Sequence, residues 1–130
     1  MTVYLSANQV LALNRLQVAR FGGAVGLRDR GALEAAVARP RMTFGGEDLY
    51  PDLPAKGAAL MHSLEANHPF VNRNEGVGAH AVIQLLLVND FEPFISAAAL
   101  TRITMAVARG EVSAEALAVW FRQRTREREA

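Results

Sequence analysis

Apolar residues recur every three or four positions in six stretches of the chain, a spacing that is typical of amphipathic helices. Residues that favour helix starts stand ahead of these stretches. The clearest is Ser6, which has Gln9 three positions later, at the spacing of a capping box. The predicted helices begin at or just after Ser6, Asp29, Asp52, Asn74, Ser96 and Ser113. The first five end near Gly22, Pro40, Asn67, Val88 and Gly110. The pattern therefore predicts an all-α protein.

The fourth of these helices, from about Asn74 to Val88, is apolar nearly all round. A helix with apolar residues on every side is usually buried, so we expect it at the centre of the core. The third helix has an apolar stripe formed by Ala58, Leu60, Met61 and Leu64.

Three segments break the helical pattern. The helical periodicity is lost over residues 41–53, and we interpret residues 44–51, which mix turn residues with two aromatic side chains worth burying, as an ordered loop or short flap. Its aromatics, Phe44 and Tyr50, either close over a ligand or plug the bundle, and the sequence does not separate these alternatives. For residues 91–95 we predict a short extended segment. Arginines stand at every second position from Arg122 to Arg128, with Glu127 and Glu129 among them, which fits either a surface for RNA or an acidic partner, or a solvated and fraying helix end. We favour the second interpretation.

Composition narrows the possible functions. The 130 residues suit one domain, and the formal net charge of +1 gives no electrostatic case for a general binder of nucleic acid or membranes. The chain has no cysteine, which excludes disulfides, zinc–thiolate sites and a cysteine nucleophile. The longest apolar stretch, Ala79 to Val88, is too short to span a bilayer, and residues 1–4 lack the features of a signal peptide. We therefore expect a cytoplasmic protein.

The candidate chemistry lies between the third and fourth helices, in the loop from His68 to Asn74. A loop that leads into a helix can present unpaired backbone N–H groups to an anion, and a histidine at its other side can act as a general base near neutral pH. His62 and His80 do not share a helix face with His68 at metal-ligand spacing, so a metal site made by the three is disfavoured. Glu65 either supports the His68 imidazole or is a solvated helix residue, and we favour the latter.

This loop resembles the signature of the Fic/Doc superfamily. That signature is His, Pro, Phe, any residue, Asp or Glu, Gly, Asn, Lys or Gly, then Arg, and the chain matches it at His68, Pro69, Phe70 and Asn74. Three further segments are similar to the death-on-curing (Doc) branch of that superfamily: its Gly-rich segment, its flap and its last helix junction. They are residues 22–31, 44–51 and 108–113.

The resemblance covers almost the whole chain and implies a single Fic/Doc-like domain, residues 1–130, built as a bundle of about six helices with a small irregular flap. Members bind ATP with Mg²⁺ and transfer either AMP or, in the Doc branch, the terminal phosphate to a protein hydroxyl, with elongation factor Tu as the Doc target. Doc proteins are toxins that a small antitoxin protein restrains. By resemblance, His68 would be the base, Asn74 and the backbone of Arg73 to Gly76 would hold phosphate, and Pro69 and Phe70 would anchor the loop.

Four residues depart from the family signature, and each departure has a physical consequence. Asn72 stands where a carboxylate holds Mg²⁺, and its neutral amide makes a weaker ligand. The bulky Arg73 replaces a small glycine, although its charge is a potential partial substitute for the lost arginine. Glu75 replaces the Doc lysine, and Gly76 replaces the arginine that pairs with a phosphate in transfer. The sequence thus predicts a transferase with weakened activity, or an inactive protein of the same fold that binds an antitoxin or target.

Overall fold

The structure is a computed structural model that describes residues 1–129, and its helices follow the predicted pattern closely. The six helices among these residues are α1 (Ala7–Phe21), α2 (Arg30–Ala38), α3 (Leu53–Asn67), α4 (Asn74–Val88), α5 (Ala97–Ala108) and α6 (Ala114–Arg122). A single 3₁₀ turn, Arg39–Arg41, follows α2. The four strands are β1 (Thr43–Phe44), β2 (Glu47–Asp48), β3 (Phe91–Pro93) and β4 (Thr125–Glu127). The prediction of an all-α fold with a small flap is confirmed.

Side-chain caps confirm five of the six predicted helix starts among residues 1–129, all except that of α4. Ser6 and Gln9 form the complete capping box, in which each side chain bonds the other residue's backbone N–H. The Asp52 carboxylate accepts a hydrogen bond from the Ala55 N–H and so caps α3. Asp29, Ser96 and Ser113 cap α2, α5 and α6 in the same way. These short-range bonds satisfy N–H groups that have no partner within the helix.

Helix α3 is the central support of the bundle, because it packs on α4, α6 and α2, and more lightly on α5. Its side chains Leu60, Met61 and Leu64 are fully buried, as the predicted apolar stripe requires. Helix α4 contributes its own set of fully buried residues, namely Val77, Ala81, Val82, Leu85 and Leu86. The prediction that α4 lies in the core is confirmed.

The flap is a short β-hairpin in which β1 pairs antiparallel with β2. Its aromatic residues do not behave as expected, since Phe44 is 83% exposed, although Tyr50 is half-buried. The prediction that Phe44 is buried was wrong, because two-residue strands extend the hairpin tip beyond the bundle and place no element over this ring.

The tail also differs from its predicted form. The chain leaves helix α6 after Arg122, and residues 125–127 form β4, which pairs antiparallel with β3. The interpretation of this tail as a fraying helix end was wrong, because a strand pairing with residues more than 30 positions away leaves no local pattern. Several of its arginines also contact aromatic rings: Arg124 lies over Trp120 and Arg126 over Phe94.

No helix among residues 1–129 has both the length and the apolar character needed to cross a membrane.

Candidate functional site

His68 occupies the junction between the C-terminus of α3 and the loop that leads into α4. It is the C-cap of α3 and adopts a left-handed backbone conformation, with φ 46° and ψ 60°. A non-glycine residue in this region is uncommon and usually held there by its surroundings. The residue is exposed, and no hydrogen bond or ion pair involves its imidazole among the described residues. The ring is therefore open to an incoming molecule.

The next residues of the loop are buried and fixed. Pro69 is buried and Phe70 is only 1% exposed. The Asn74 amide bonds the backbone of Phe70 twice: Oδ1 accepts from the Phe70 N–H at 2.9 Å, and Nδ2 donates to the Phe70 carbonyl at 3.0 Å. The Asn74 side chain thus closes the loop on itself, and in this arrangement both of its polar atoms are already bonded.

Asn72 and Arg73 attach the loop to the end of α1 and the segment after it. The Asn72 Oδ1 accepts from the Ala24 N–H at 2.7 Å. The Arg73 guanidinium donates to the Gly22 carbonyl at 2.8 Å and to the Phe21 carbonyl. A cation at these carbonyls interacts favourably with the negative C-terminal end of α1. The Arg73 charge is therefore used on α1 and does not substitute for the arginine that is absent at position 76.

The residues at the position of the family's metal-binding carboxylate do not fit Mg²⁺. Asn72 has a neutral amide whose oxygen already accepts the Ala24 N–H. No group of three or more His, Asp or Glu side chains within residues 1–129 is placed to hold a metal ion. A hard divalent cation prefers several oxygen ligands that include carboxylates, and this loop offers no such set.

The N-terminus of α4 retains its backbone donors but lacks cationic side chains. Arg73 is its N-cap and provides no side-chain cap, so the first N–H groups of the helix have no intrahelical partner. Glu75 lies in the first turn of the helix. At Gly76 the space beside the backbone is filled by the Gln17 side chain of α1, whose Cδ would lie 2.9 Å from an added Cβ. A longer residue at position 76 therefore requires Gln17 to move.

Glu65 is buried between α3 and α4, which corrects the interpretation of this residue as solvated. The side chain is 1% exposed, and neither carboxylate oxygen has a hydrogen-bond partner among the described residues. Burial, with a smaller contribution from the like charge of Glu75, raises the pKa of Glu65 to about 9, so the carboxyl is neutral at pH 7. Gly78 leaves the space that the Glu65 carboxyl occupies, because a Cβ at this position would lie 2.8 Å from Glu65 Oε2. Glu65 makes no hydrogen bond to His68.

His62 and His80 lie in two depressions that His68 does not line. His62 lines a cleft of about 680 Å³ beneath the flap, between α2, α3 and the start of α6. His80 lines a groove of about 480 Å³ between α1, α4 and α5. The three histidines therefore do not line a common pocket.

Sequence reasoning missed three residues that shape the loop, namely Asn14, Gln17 and Arg28. Asn14 is 1% exposed and donates to the Asn72 carbonyl at 2.9 Å. It stands at the i+4 position from the apolar Val10, so a polar residue on the buried stripe of α1 was the available indication. Gln17 and Arg28 act across 40 positions or more, and nothing in the local pattern distinguishes them.

Comparisons with known proteins place the chain in a family. A family model described as the Fic/DOC family matches residues 4–86. The chain is 43% identical over 92 residues to Toxin Doc of Mycolicibacterium smegmatis (strain ATCC 700084 / mc(2)155), a match that covers 71% of this chain and 68% of that one. It is also 26% identical over 120 residues to Protein kinase doc of Escherichia phage P1, covering 92% and 94% of the two chains. The chain therefore belongs to the Fic/Doc family, in the branch of the Doc toxins.

Proposed function

We propose that this protein is a Doc-type toxin-like transferase that moves phosphate or AMP from ATP to a protein hydroxyl at a low rate. The observation that carries this proposal is the position of His68. An exposed imidazole with no hydrogen-bonded partner within residues 1–129 stands at the start of the loop, six positions before the first residue of a 15-residue helix. One short loop thus connects a base to a helix end that can bind an anion.

In the proposed reaction, His68 and the N-terminus of α4 have different roles. The His68 imidazole takes the proton of the target hydroxyl, and the oxygen of that hydroxyl attacks a phosphorus of ATP. The bond to the leaving group then breaks, releasing ADP when the terminal phosphate is transferred and pyrophosphate when AMP is transferred. Backbone N–H groups of Asn74, Glu75 and Gly76 face the negative charge that shifts between these oxygens.

The low rate follows from the charges near those donors. Glu75 brings a carboxylate to the first turn of α4, and like charges at about 4 Å repel by roughly 4 kcal/mol at an effective dielectric of ~20, before screening. Gly76 offers no guanidinium, and Arg73 is bonded to the end of α1. Phosphoryl transfer depends mainly on positioning and on charge stabilisation, so the loss of cations lowers the rate of transfer.

The names of the two relatives support the toxin and the transfer parts of the proposal. One is called a toxin and the other a protein kinase. By the same resemblance we propose a small antitoxin protein as partner, elongation factor Tu as a candidate target, and the cytoplasm as the place of action.

The groove between α1, α4 and α5 is the surface we assign to the antitoxin. Phe21 and Met105 line it and are 57% and 40% exposed, so the groove presents large apolar side chains to a partner. An amphipathic segment whose apolar face covers these two side chains would match this lining.

The proposal is tested with ATP labelled at the α- or the γ-phosphorus, incubated separately with the protein, Mg²⁺ and cell extract. Label from the γ position alone on a protein band indicates phosphate transfer, and label from the α position indicates AMP transfer. We expect a weak signal that His68→Ala removes, whereas the matched variant His62→Ala, in the cleft beneath the flap, retains it. No label from either position, or equal label from the His68→Ala variant, would refute the proposal.

The second candidate is a protein-binding member of the family that performs no chemistry. The commitment of Asn72 and Arg73 to the Phe21–Ala24 segment favours it, because two loop side chains serve the fold. It predicts a stable complex with an antitoxin and no heat of ATP binding by calorimetry. ATP binding at micromolar strength would count against it.

A further inference from the structure

Arg28 binds three successive carbonyl groups around His68. Its Nε donates to the His68 carbonyl at 2.6 Å, and its Nη2 donates to the Asn67 carbonyl at 2.8 Å. Its backbone N–H donates to the Pro69 carbonyl at 2.7 Å. One residue, 40 positions upstream, thus holds the carbonyls before, at and after the candidate base.

These contacts replace bonds that the chain does not make locally. The last carbonyls of a helix have no intrahelical partner, and a following residue often supplies an N–H. The left-handed His68 makes no such backbone bond to α3, in contrast to the C-caps of the other helices. The guanidinium of Arg28 supplies the donors instead, and two of its N–H groups reach the carbonyls of Asn67 and His68.

Arg28 is itself attached to a rigid element. The next residue, Asp29, also donates its N–H to the Pro69 carbonyl, at 3.1 Å, and its side chain caps α2 through the Ala32 N–H. Leu27 pairs with Phe70 in an isolated β-bridge on the other side. The guanidinium therefore approaches His68 from a fixed position at the start of α2.

Neither burial nor ion pairing accounts for an arginine here. Arg28 is exposed, and it forms no ion pair with a carboxylate among residues 1–129. What the position uses is the planar fork, which a lysine ammonium cannot reproduce.

We propose that Arg28 is a positioning residue for His68. It holds the backbone of that residue in the left-handed conformation and so fixes the direction in which the imidazole leaves the loop. The functional part of this assignment rests on the proposed role of His68 as a base. The structural part does not, and it can be tested in a protein that shows no activity at all.

The test compares Arg28→Gln and Arg28→Lys with the matched variant Arg30→Gln, which changes an exposed arginine that pairs with Glu34. Backbone ¹³C shifts of His68 report its conformation, and the imidazole signals of His62 and His80 are internal references. We expect Arg28→Gln to move the His68 shifts away from left-handed values and to leave the other two histidines unchanged. Arg28→Lys should give an intermediate shift, and Arg30→Gln none.

Transfer activity provides a second readout in any preparation that labels a target. Because a small misplacement of a reacting group costs up to ~100-fold in rate, we expect Arg28→Gln to lower kcat at least about tenfold with little change in the KM for ATP. Circular dichroism establishes which variants fold. If Arg28→Gln does not fold, Arg28→Lys is used in its place. A folded Arg28 variant whose melting temperature falls but whose His68 signals stay in place would overturn the proposal, since Arg28 would then be only a helix cap.

Discussion

Glu65 is the residue whose environment departs most from its chemical character. An unpaired carboxyl in the core is tolerated only in its neutral form, because burying the charge would cost far more than keeping the proton. Its place depends on Gly78 in the opposite helix, where any side chain would collide with it. Local sequence reasoning cannot detect this pair, because a glutamate next to Ala66 and Asn67 looks like a solvated helix residue.

The buried carboxyl makes stability fall as pH rises. The pKa of Glu65 is about 9 in the folded protein, against an ordinary value of 4.5 for glutamate, so between these values the unfolded chain releases a proton that the folded chain keeps. The stabilisation is complete below pH 4.5 and is lost as the pH rises towards 9, at about 1 kcal/mol per pH unit. Urea unfolding at pH 5, 7 and 9 should show this slope in the wild type and a flatter profile in Glu65→Gln.

The matched variant for this measurement is Glu34→Gln, which removes an exposed carboxylate that pairs with Arg30. Its stability profile should run parallel to that of the wild type. Parallel profiles for Glu65→Gln and the wild type would mean that Glu65 is ionised in the folded protein.

Gln17 bears on any attempt to restore the family's arginine at position 76. Its side chain fills the space beside Gly76, and its Cδ would come within 2.9 Å of an added Cβ. Because the far end of a glutamine is flexible, the clash can be relieved, but only by moving Gln17 off the first turn of α4. A restored loop is therefore best built together with Gln17→Ala.

At the scale of elements, the flap is fixed to α3 by the single lysine of the chain. Lys56 is 3% exposed, and its ammonium donates to the Asp48 carboxylate at 3.0 Å and to the Tyr50 carbonyl. On the other side of Tyr50, the Arg39 guanidinium donates to the phenolic oxygen at 2.7 Å. The β-hairpin, too short to be stable alone, is ordered by these bonds.

Lys56→Met should therefore loosen the flap more than the bundle. The thioether keeps the apolar packing along α3, while the hydrogen bonds to β2 and Tyr50 are lost, which should lower the free energy of unfolding by about 1–3 kcal/mol. Amide hydrogen exchange over residues 42–50 should become faster, with α4 unchanged.

The control for the flap is Arg109→Gln, which removes an exposed ion pair with Glu111 near the end of α5. It should leave exchange in the flap at the wild-type rate. Unchanged protection of residues 42–50 in Lys56→Met would show that the hairpin holds itself in place.

The helices were predictable because their causes are local. A cap such as Ser6 or Asp52 acts within four residues, and an apolar stripe repeats within one helix. The tail strand β4 was not predictable in this way, since its partner β3 lies more than 30 residues upstream. The same difference between local and distant causes explains which parts of the site could be predicted. His68 was found from its neighbours, whereas its contacts with Arg28 depend on how two distant segments pack.

At the scale of the whole molecule, the scaffold that holds His68 can be considered separately from the charges that would bind phosphate. The bundle, the buried Phe70 and the exposed His68 are in place, and the loop is held to the α1–α2 segment by at least four side-chain bonds from Asn72, Arg73 and Arg28. Cationic side chains are absent from positions 75 and 76, and Arg73 is bonded to the end of α1. The low transfer rate that we propose would follow from this lost charge, since the bundle and the loop are in place.

The most direct measurement of this claim is the rate of label transfer by a variant with the loop charges restored. It carries Asn72→Asp, Glu75→Lys and Gly76→Arg with Gln17→Ala, and Gln17→Ala alone is its control. Since a single arginine at the transferred phosphate is worth about 10³–10⁵ in rate, the account predicts a gain of at least ~10³ over the wild type, abolished by adding His68→Ala. A folded restored variant no faster than the wild type would contradict the account.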